Sequence, residues 1–251
     1  MAGHSQFKNI MHRKGAQDKK RARLFNKLAR EITVAAKEGQ PDPDANPRLR
    51  NAMIAAREAN MPSDRIKRAV DQANPNSGDL SQYDEVRYEG YGPGGVAVII
   101  EALTDNRDRT AGEVRAAFTK NGGALGETNS VSFMFNKIGQ IAFDAKVAGF
   151  DAVFEAAVEA GAENVETLGG THEVTTAPGD FIAVKEALEK KFGPSQSSGI
   201  IWKPLNTVAL SQEQAQDLFD LIEALEDSDD VQNVFSNMEV TEEIMERLAA
   251  G

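Results

Sequence analysis

The hydrophobic periodicity of this 251-residue chain changes near residue 83, and that change constrains the fold more than any other feature. Before it, apolar residues recur at the three- and four-residue spacing of a helix, and after it short alternating runs typical of strands begin. Three helical patterns precede the change, and residues 74–82 read as a Pro- and Gly-containing linker. The sequence therefore predicts a helical N-terminal domain followed by strand-bearing structure.

The strand-bearing part contains one complete element order. Residues 138–203 read as strand, helix, strand, strand, helix, strand, which is the order of a ferredoxin-like unit. The flanking residues 84–136 and 205–237 supply the elements of a second, similar sheet. We predict an α+β fold, with an N-terminal three-helix domain followed by two ferredoxin-like α/β domains, one inserted in the other. The predicted domains are 1–79 (basic and helical), 80–136 plus 204–240 (discontinuous α/β), 137–203 (inserted α/β) and 241–251 (C-terminal helix).

Charge is divided unequally along the chain. The whole sequence has a formal net charge of -11. Residues 1–72 nevertheless contain 16 Lys or Arg and 8 Asp or Glu, a net of +8, and the remaining residues carry a net of -19. Such an asymmetry indicates a basic module that meets a polyanion and an acidic remainder that faces solvent.

The first helical pattern, residues 18–37, has two distinct faces. Its apolar residues fall within an arc of about 80° on a helical projection, and its basic residues fall in a second such arc nearly opposite. Arg21 is an exception, because it projects toward the apolar side and is expected to pack or to cap. The apolar residues are Leu24, Leu28, Ile32 and Ala35, and the basic ones are Lys19, Arg23, Lys27 and Arg30.

The basic arc is either a solvated helix face or a surface that binds phosphate groups. Residues 1–30 hold nine Lys or Arg and a single acid, Asp18, whereas solvated faces normally mix both signs of charge. This favours the phosphate interpretation. His4 and Ser5 belong to a cationic tail that either contacts phosphate or forms an unstructured tip. The candidate nucleic-acid-binding residues here are His4, Ser5, Lys8, Arg13, Lys14, Lys19, Lys20, Arg23, Lys27 and Arg30.

A second candidate anion site is the stretch "TDNRDRT", residues 104–110. It precedes a helix that the pair Thr110 and Glu113 is expected to open as a capping box, and helix N-termini favour anions. Arg107 and Arg109 either add charge-assisted hydrogen bonds to a phosphate or pair with the two aspartates of the same stretch. Both arginines are included among the candidate nucleic-acid-binding residues.

No catalytic or metal-binding motif stands out in the sequence. There is no cysteine, and none of the three histidines has metal-ligand spacing. "GYGPGG", residues 90–95, matches a nucleotide-binding glycine pattern but runs into an apolar strand, so it predicts a hairpin turn. We expect no catalytic residue, no metal site and no cofactor. The competing classes are an enzyme that uses Arg107 and Arg109 on a phosphorylated substrate, and a factor whose basic helix binds an acidic protein.

The longest apolar run, residues 96–100, is too short to cross a bilayer, and the N-terminus has no apolar signal core. We therefore expect a cytoplasmic protein with no membrane partner. A basic, acid-poor N-terminus is also typical of a mitochondrial targeting peptide, which is the alternative interpretation of this segment.

Several long motifs resemble one known family. They are "MAGHSQFKNIMHRKGAQDKKRARLFNKLAREI", "NPRLRNAMIAAREANMPSDRIKRAV", "YEGYGPGGVAVIIEALTDNRDRTAGEVR", "NGGALGE" and "SVSFMF". In this order they are similar to the YebC/PmpR family, and the resemblance covers essentially the whole chain. It departs from the family pattern in the Thr-Asn of "ETNSVSFMF" and in the linker "NPNSGDLSQ".

The resemblance implies a helical domain followed by two α/β domains, one inserted in the other. It also implies a nucleic-acid-binding regulator of gene expression, described as a probable transcriptional regulator that binds DNA. The alternative is a factor that acts on translation at the ribosome or on messenger RNA, because the mitochondrial relatives are translational activators of cytochrome c oxidase. The expected partner is therefore DNA or RNA.

Overall fold

The structure, a computed structural model, describes residues 17–74 and 82–250. They form two compact units, of which the first joins the described residues up to Val131 to those from Thr207 onward, and the second is Ser132–Asn206. The helices are α1 (Gln17–Glu38), α2 (Pro47–Glu58), α3 (Ser63–Asp71), α4 (Arg107–Lys120), α5 (Phe150–Ala160), α6 (Phe181–Phe192), α7 (Gln212–Glu226) and α8 (Glu242–Ala250). The strands are β1 (Asp84–Tyr91), β2 (Ala97–Thr104), β3 (Ala124–Leu125), β4 (Phe135–Asp144), β5 (Asn164–Leu168), β6 (Thr171–Thr176), β7 (Ser197–Pro204), β8 (Val208–Ala209), β9 (Val231–Ser236) and β10 (Met238–Glu239).

The first unit begins with three helices around a small core rich in alanine. α2 starts where the sequence predicts, because the Asn46 side chain accepts a hydrogen bond from the backbone N–H of Leu49 at 3.0 Å and Pro47 occupies the first turn. The buried side chains of this core are Phe25, Ile32, Ala35, Ala36, Leu49, Ala52, Ala56, Met61, Ile66 and Ala69.

The inward face of α1 is rotated relative to the prediction. Leu24 is 46% exposed, whereas Phe25, the next residue, is only 8% exposed and joins the core. Ile32 and Ala35 are buried as predicted. The helix therefore presents its large aromatic ring to α2 and α3 and leaves the smaller Leu24 at the surface.

The sheet of the first unit has the order β3-β1-β2-β9 and is antiparallel throughout. α4 and α7 cover one face of it, where Val114 and Phe118 meet Leu218 and Ile222 in one hydrophobic cluster. The predicted hairpin turn between β1 and β2 is confirmed, and Gly94 has a φ of 71°, which suits glycine.

α4 begins earlier than predicted. Its first residue is Arg107, and the Asn106 side chain caps it by accepting from the Arg109 N–H at 3.0 Å. The predicted capping box at Thr110 and Glu113 is therefore wrong, since Thr110 lies inside the helix and is buried. Asn106, and not Thr110, is the N-cap because its side-chain oxygen accepts a hydrogen bond from an N–H of the first turn.

The second unit confirms the predicted ferredoxin-like order. β4, α5, β5, β6, α6 and β7 follow one another, and the sheet order is β5-β6-β4-β7. The four-stranded sheet of the first unit, β3-β1-β2-β9, matches β5-β6-β4-β7 position by position. Its strands follow one another along the chain in a different order. The α+β fold with helices first and antiparallel sheets afterwards is therefore confirmed.

One alternating stretch is not a strand as predicted. "SVSFMF" contains a short 3-10 turn at Ser132–Met134, and β4 starts only at Phe135. Val131 and Phe135 are buried, but Phe133 is 68% exposed. The 3-10 turn rotates Phe133 away from its neighbours, which alternation alone does not reveal. The two units divide at residues 131/132 and 206/207.

Candidate nucleic-acid interface

Five of the predicted site residues lie outside the part of the chain that the structure describes. They are His4, Ser5, Lys8, Arg13 and Lys14. Lys19 lies in α1, and its side chain is likewise outside the description. Nucleic-acid binding by these six residues stays a prediction.

The predicted basic residues of α1 face an acidic part of the same unit. We call residues 223–230, at the end of α7 and the loop after it, the acidic segment, since the sequence "EALEDSDD" carries five carboxylates. Lys20 Nζ lies 3.8 Å from Glu223 Oε1 at one end of this contact. We call Lys20, Arg23, Lys27 and Arg30 the basic stripe.

The middle of the basic stripe contacts the acidic segment through both side-chain and backbone oxygens. Arg23 Nη1 forms an ion pair with the Asp227 carboxylate. Lys27 Nζ donates to the Glu226 carbonyl oxygen at 2.7 Å. A helix C-terminus carries unpaired carbonyl groups and a partial negative charge, so a lysine there is favoured twice.

Arg30 makes the most deeply placed contact of the stripe, and its side chain is only 17% exposed. Its Nη1 lies 2.5 Å from Asp230 Oδ1, 2.7 Å from the Leu103 carbonyl oxygen and 2.9 Å from the Asp229 carbonyl oxygen. Its guanidinium also lies 5.0 Å from the centre of the Tyr83 ring. The helical projection of the sequence puts this arginine in the basic arc, opposite the apolar face, whereas in the structure it joins α1 to the first sheet.

Asp230 is the carboxylate on which these contacts converge. Besides Arg30, its Oδ2 accepts from Arg109 Nη2 at 2.6 Å, from Thr110 Oγ1 at 2.6 Å and from Thr104 Oγ1 at 3.2 Å. Burial of Asp230 opposes its ionisation, but the hydrogen bonds from Arg109, Thr110 and Arg30 outweigh burial and lower its pKa to about 2. Asp230 is therefore a fixed negative charge at neutral pH.

The two arginines of the predicted anion loop are both in ion pairs. Arg109 Nη2 also lies 2.8 Å from Asp105 Oδ1, and its hydrogen bonds to Asp230 and Asp105 raise its pKa. Arg107 Nε lies 2.9 Å from Asp84 Oδ2 on β1, and this hydrogen bond raises the pKa of Arg107. Both side chains remain exposed, so phosphate binding by Arg107 and Arg109 stays a prediction.

A second group of cations in the three-helix part lies outside the basic stripe, and one of them, Arg65, is separated from the acidic segment by Asn26, whose side-chain amide bonds both Arg65 and Asp229. Arg21 and Arg65 both contact the Phe25 ring, with guanidinium carbons 5.3 Å and 5.4 Å from its centre. The third helical pattern of the sequence, with Arg65, Lys67 and Arg68, is compatible with a recognition helix, although two aspartates dilute its charge. The projection of Arg21 away from the basic arc separates that arginine from the stripe. The exposed or half-exposed members are Arg21, Arg57, Arg65, Lys67 and Arg68.

No group of three or more His, Asp or Glu residues is arranged to hold a metal ion within residues 17–74 and 82–250. In the same ranges, no helix is long and apolar enough to cross a membrane.

Two family models match the chain. The model of the TACO1/YebC protein N-terminal domain matches residues 5–76, and the model of the TACO1/YebC second and third domain matches residues 83–238. The chain is also similar to the crystal structure of a conserved hypothetical protein, Aq1575, from Aquifex aeolicus. The two are 46% identical with a TM-score of 0.79, and the match covers 88% of this chain and 91% of the other.

Proposed function

We propose that this chain, which belongs to the TACO1/YebC family, regulates gene expression by binding a nucleic acid and catalyses no reaction. Members of the family are described as probable transcriptional regulators. DNA is therefore the first candidate ligand, and the three-helix part is the proposed contact.

The charge distribution is the observation that carries the proposal. The three-helix part belongs to a segment of net charge +8, and the rest of the chain is at -19. Lys and Arg neutralise backbone phosphates and release condensed counterions, which supplies most of the affinity of a non-specific complex. Such contacts position a protein on its ligand without reading the base sequence.

The same distribution supports a second candidate, a factor that acts on translation through RNA. An acidic body is repelled by a long uniform duplex. A short cationic segment is able to contact RNA phosphates within a crowded RNA–protein surface without a long duplex meeting the acidic residues. Comparison of DNA and RNA binding in the experiment below distinguishes the two candidates.

A salt titration of binding tests the proposal directly. We expect fluorescence anisotropy with a labelled 20-base-pair DNA duplex to give a plot of log K against log salt with a slope of about -4 to -5, if about five phosphates are neutralised. A single-stranded RNA of equal length is expected to give a slope of about -3.5 for the same number of contacts. The tighter of the two at equal salt identifies the ligand class. Undetectable binding of both at 50 mM salt, or a slope near zero, contradicts the proposal.

A further inference from the structure

The basic stripe of α1 is already engaged within the first unit. Arg23 and Arg30 pair with carboxylates, and Lys27 donates to a helix-terminal carbonyl. A phosphate that approaches Arg30 must displace one carboxylate oxygen and two carbonyl oxygens from a side chain that is mostly buried. The stripe is therefore a poor first contact for a nucleic acid.

We infer that backbone phosphates bind instead on a second surface of the three-helix part, which we call the open cationic surface. It consists of Arg21, Arg57, Arg65, Lys67 and Arg68. This inference rests on the proposed function, because it names the surface through which the nucleic acid would bind.

Phe25 organises the centre of the open cationic surface. Arg21 in α1 and Arg65 in α3 both lie against its ring, which holds two guanidinium groups near one another without using their N–H donors. Among the described residues Arg21 reaches one acceptor, the Asn60 carbonyl oxygen, at 3.5 Å. A guanidinium has five N–H donors in a planar fork that matches a phosphate, so most donors of Arg21 have no acceptor in the described part of the chain.

Arg65 uses little of its hydrogen-bonding capacity. Its Nη2 donates to Asn26 Oδ1 at 2.7 Å, and Asn26 Nδ2 donates in turn to Asp229 Oδ2 at 3.4 Å, so a neutral side chain separates the guanidinium from that carboxylate. Arg68, one helical turn further along α3, pairs with Asp64, and both side chains are more than 70% exposed. An exposed pair of this kind contributes little and exchanges readily for a phosphate.

Arg57 and Lys67, the remaining members of this set, have no side-chain partner in the described part of the chain. Arg57 lies in the last turn of α2, where its carbonyl accepts the Asn60 N–H at 2.9 Å, and Lys67 lies on α3; both are exposed. Four of the five cations lie in α2 and α3, and three acids, Glu58, Asp64 and Asp71, lie in the same two helices.

A matched set of double substitutions in the full chain tests the inference. Arg57→Gln/Lys67→Gln removes two charges from the open cationic surface, and Arg23→Gln/Lys27→Gln removes two from the basic stripe. Arg115→Gln/Lys120→Gln is the control, because both residues are exposed on α4 and have no side-chain partner in the described part of the chain. All variants are compared by anisotropy with the same 20-base-pair duplex and single-stranded RNA, after circular dichroism melting has verified folding.

We expect the open-surface variant to lose about 10- to 100-fold in affinity at 0.1 M salt and to reduce the salt slope by about two. The control and the stripe variant are expected to stay within about threefold of the parent. If the parent binds but the open-surface variant binds equally well, or the control loses as much, the inference is overturned and the proposed function stands. If the parent itself binds neither ligand, the proposed function fails.

Discussion

Asp230 shows how one carboxylate determines the electrostatics of the first unit. It accepts hydrogen bonds from two helices, through Arg30 of α1 and through Arg109 and Thr110 of α4. A buried carboxylate is tolerated only when it is paired and hydrogen-bonded, and here both oxygens have charged donors. Removing it leaves the mostly buried Arg30 with carbonyl acceptors and no carboxylate, while Arg109 keeps Asp105, and an unpaired sheltered cation is costlier than the loss of an exposed pair.

Replacing Asp230 with Asn is expected to lower the free energy of unfolding by about 3 kcal/mol at pH 7. The folded pKa of about 2 lies below the ordinary value of 3.8, so the carboxylate adds stability above the unfolded pKa and loses it as pH falls through the folded pKa. About 2 kcal/mol of the difference should therefore disappear between pH 5 and pH 2. Urea unfolding at pH 7, 4 and 2 measures this.

The neighbouring substitution Asp229→Asn is the control for that experiment. Asp229 is exposed, and among the described residues its carboxylate accepts only from Asn26, at 3.4 Å, so a change below about 0.5 kcal/mol is expected at each pH. A difference between Asp230→Asn and the parent that does not depend on pH would contradict the assignment of Asp230 as the buried anion.

At the scale of the element, α1 packs against other parts of the first unit on two of its sides. Phe25 and Ile32 pack against α2 and α3, while the basic stripe lies against the acidic segment of α7. The outer pairs of that contact are exposed and individually weak, whereas the Arg30–Asp230 pair is sheltered. The acidic segment thus keeps cations of α1 out of reach of other anions.

Neutralising the exposed carboxylates of the acidic segment should release part of the stripe. We expect Asp227→Asn/Asp229→Asn to bind the 20-base-pair duplex about two- to fivefold more tightly, which corresponds to the loss of one exposed ion pair. Glu213→Gln/Asp217→Asn removes the same charge from exposed positions at the other end of α7 and should change affinity less. Equal gains in both variants would mean that only net charge matters.

The elements themselves follow from the sequence because burial repeats along a strand or helix with a fixed local period. The contact between α1 and the acidic segment does not, because Arg23 and Asp227 are 204 residues apart and nothing in either neighbourhood indicates the pairing. The periodicity also cannot decide between Leu24 and Phe25 as the inward residue, since one residue of rotation turns α1 by about 100°. Packing against α2 and α3 makes that choice.

At the scale of the whole molecule, the second unit has the features of an independent domain. It contains a complete four-stranded sheet and its own core, which includes Ile141, Phe143, Val153, Val184 and Leu188. Its two ends lie side by side, because the Leu205 N–H donates to the Met134 carbonyl oxygen at 2.9 Å. Adjacent ends let one domain be inserted into another without disturbing either.

Residues 132–206, expressed alone, are therefore expected to fold. We expect a cooperative thermal transition by circular dichroism and protected amides in β4 and β6, the central strands, by hydrogen exchange. The remaining chain, with the insert replaced by a short Gly-Ser linker, should retain its own transition. An insert that unfolds without cooperativity when isolated would show that it depends on the first unit.

The covalent attachment of the acidic segment to the basic stripe has a further consequence for competition. Tethered groups act at effective concentrations in the millimolar range or higher, which a free mononucleotide at micromolar levels does not match. A polymer held on the open cationic surface is itself tethered, and its next phosphates reach a comparable local concentration. Because these two local concentrations are comparable, we expect a nucleic acid to bind the open cationic surface first. The basic stripe then becomes available only to a nucleic acid long enough to reach both surfaces.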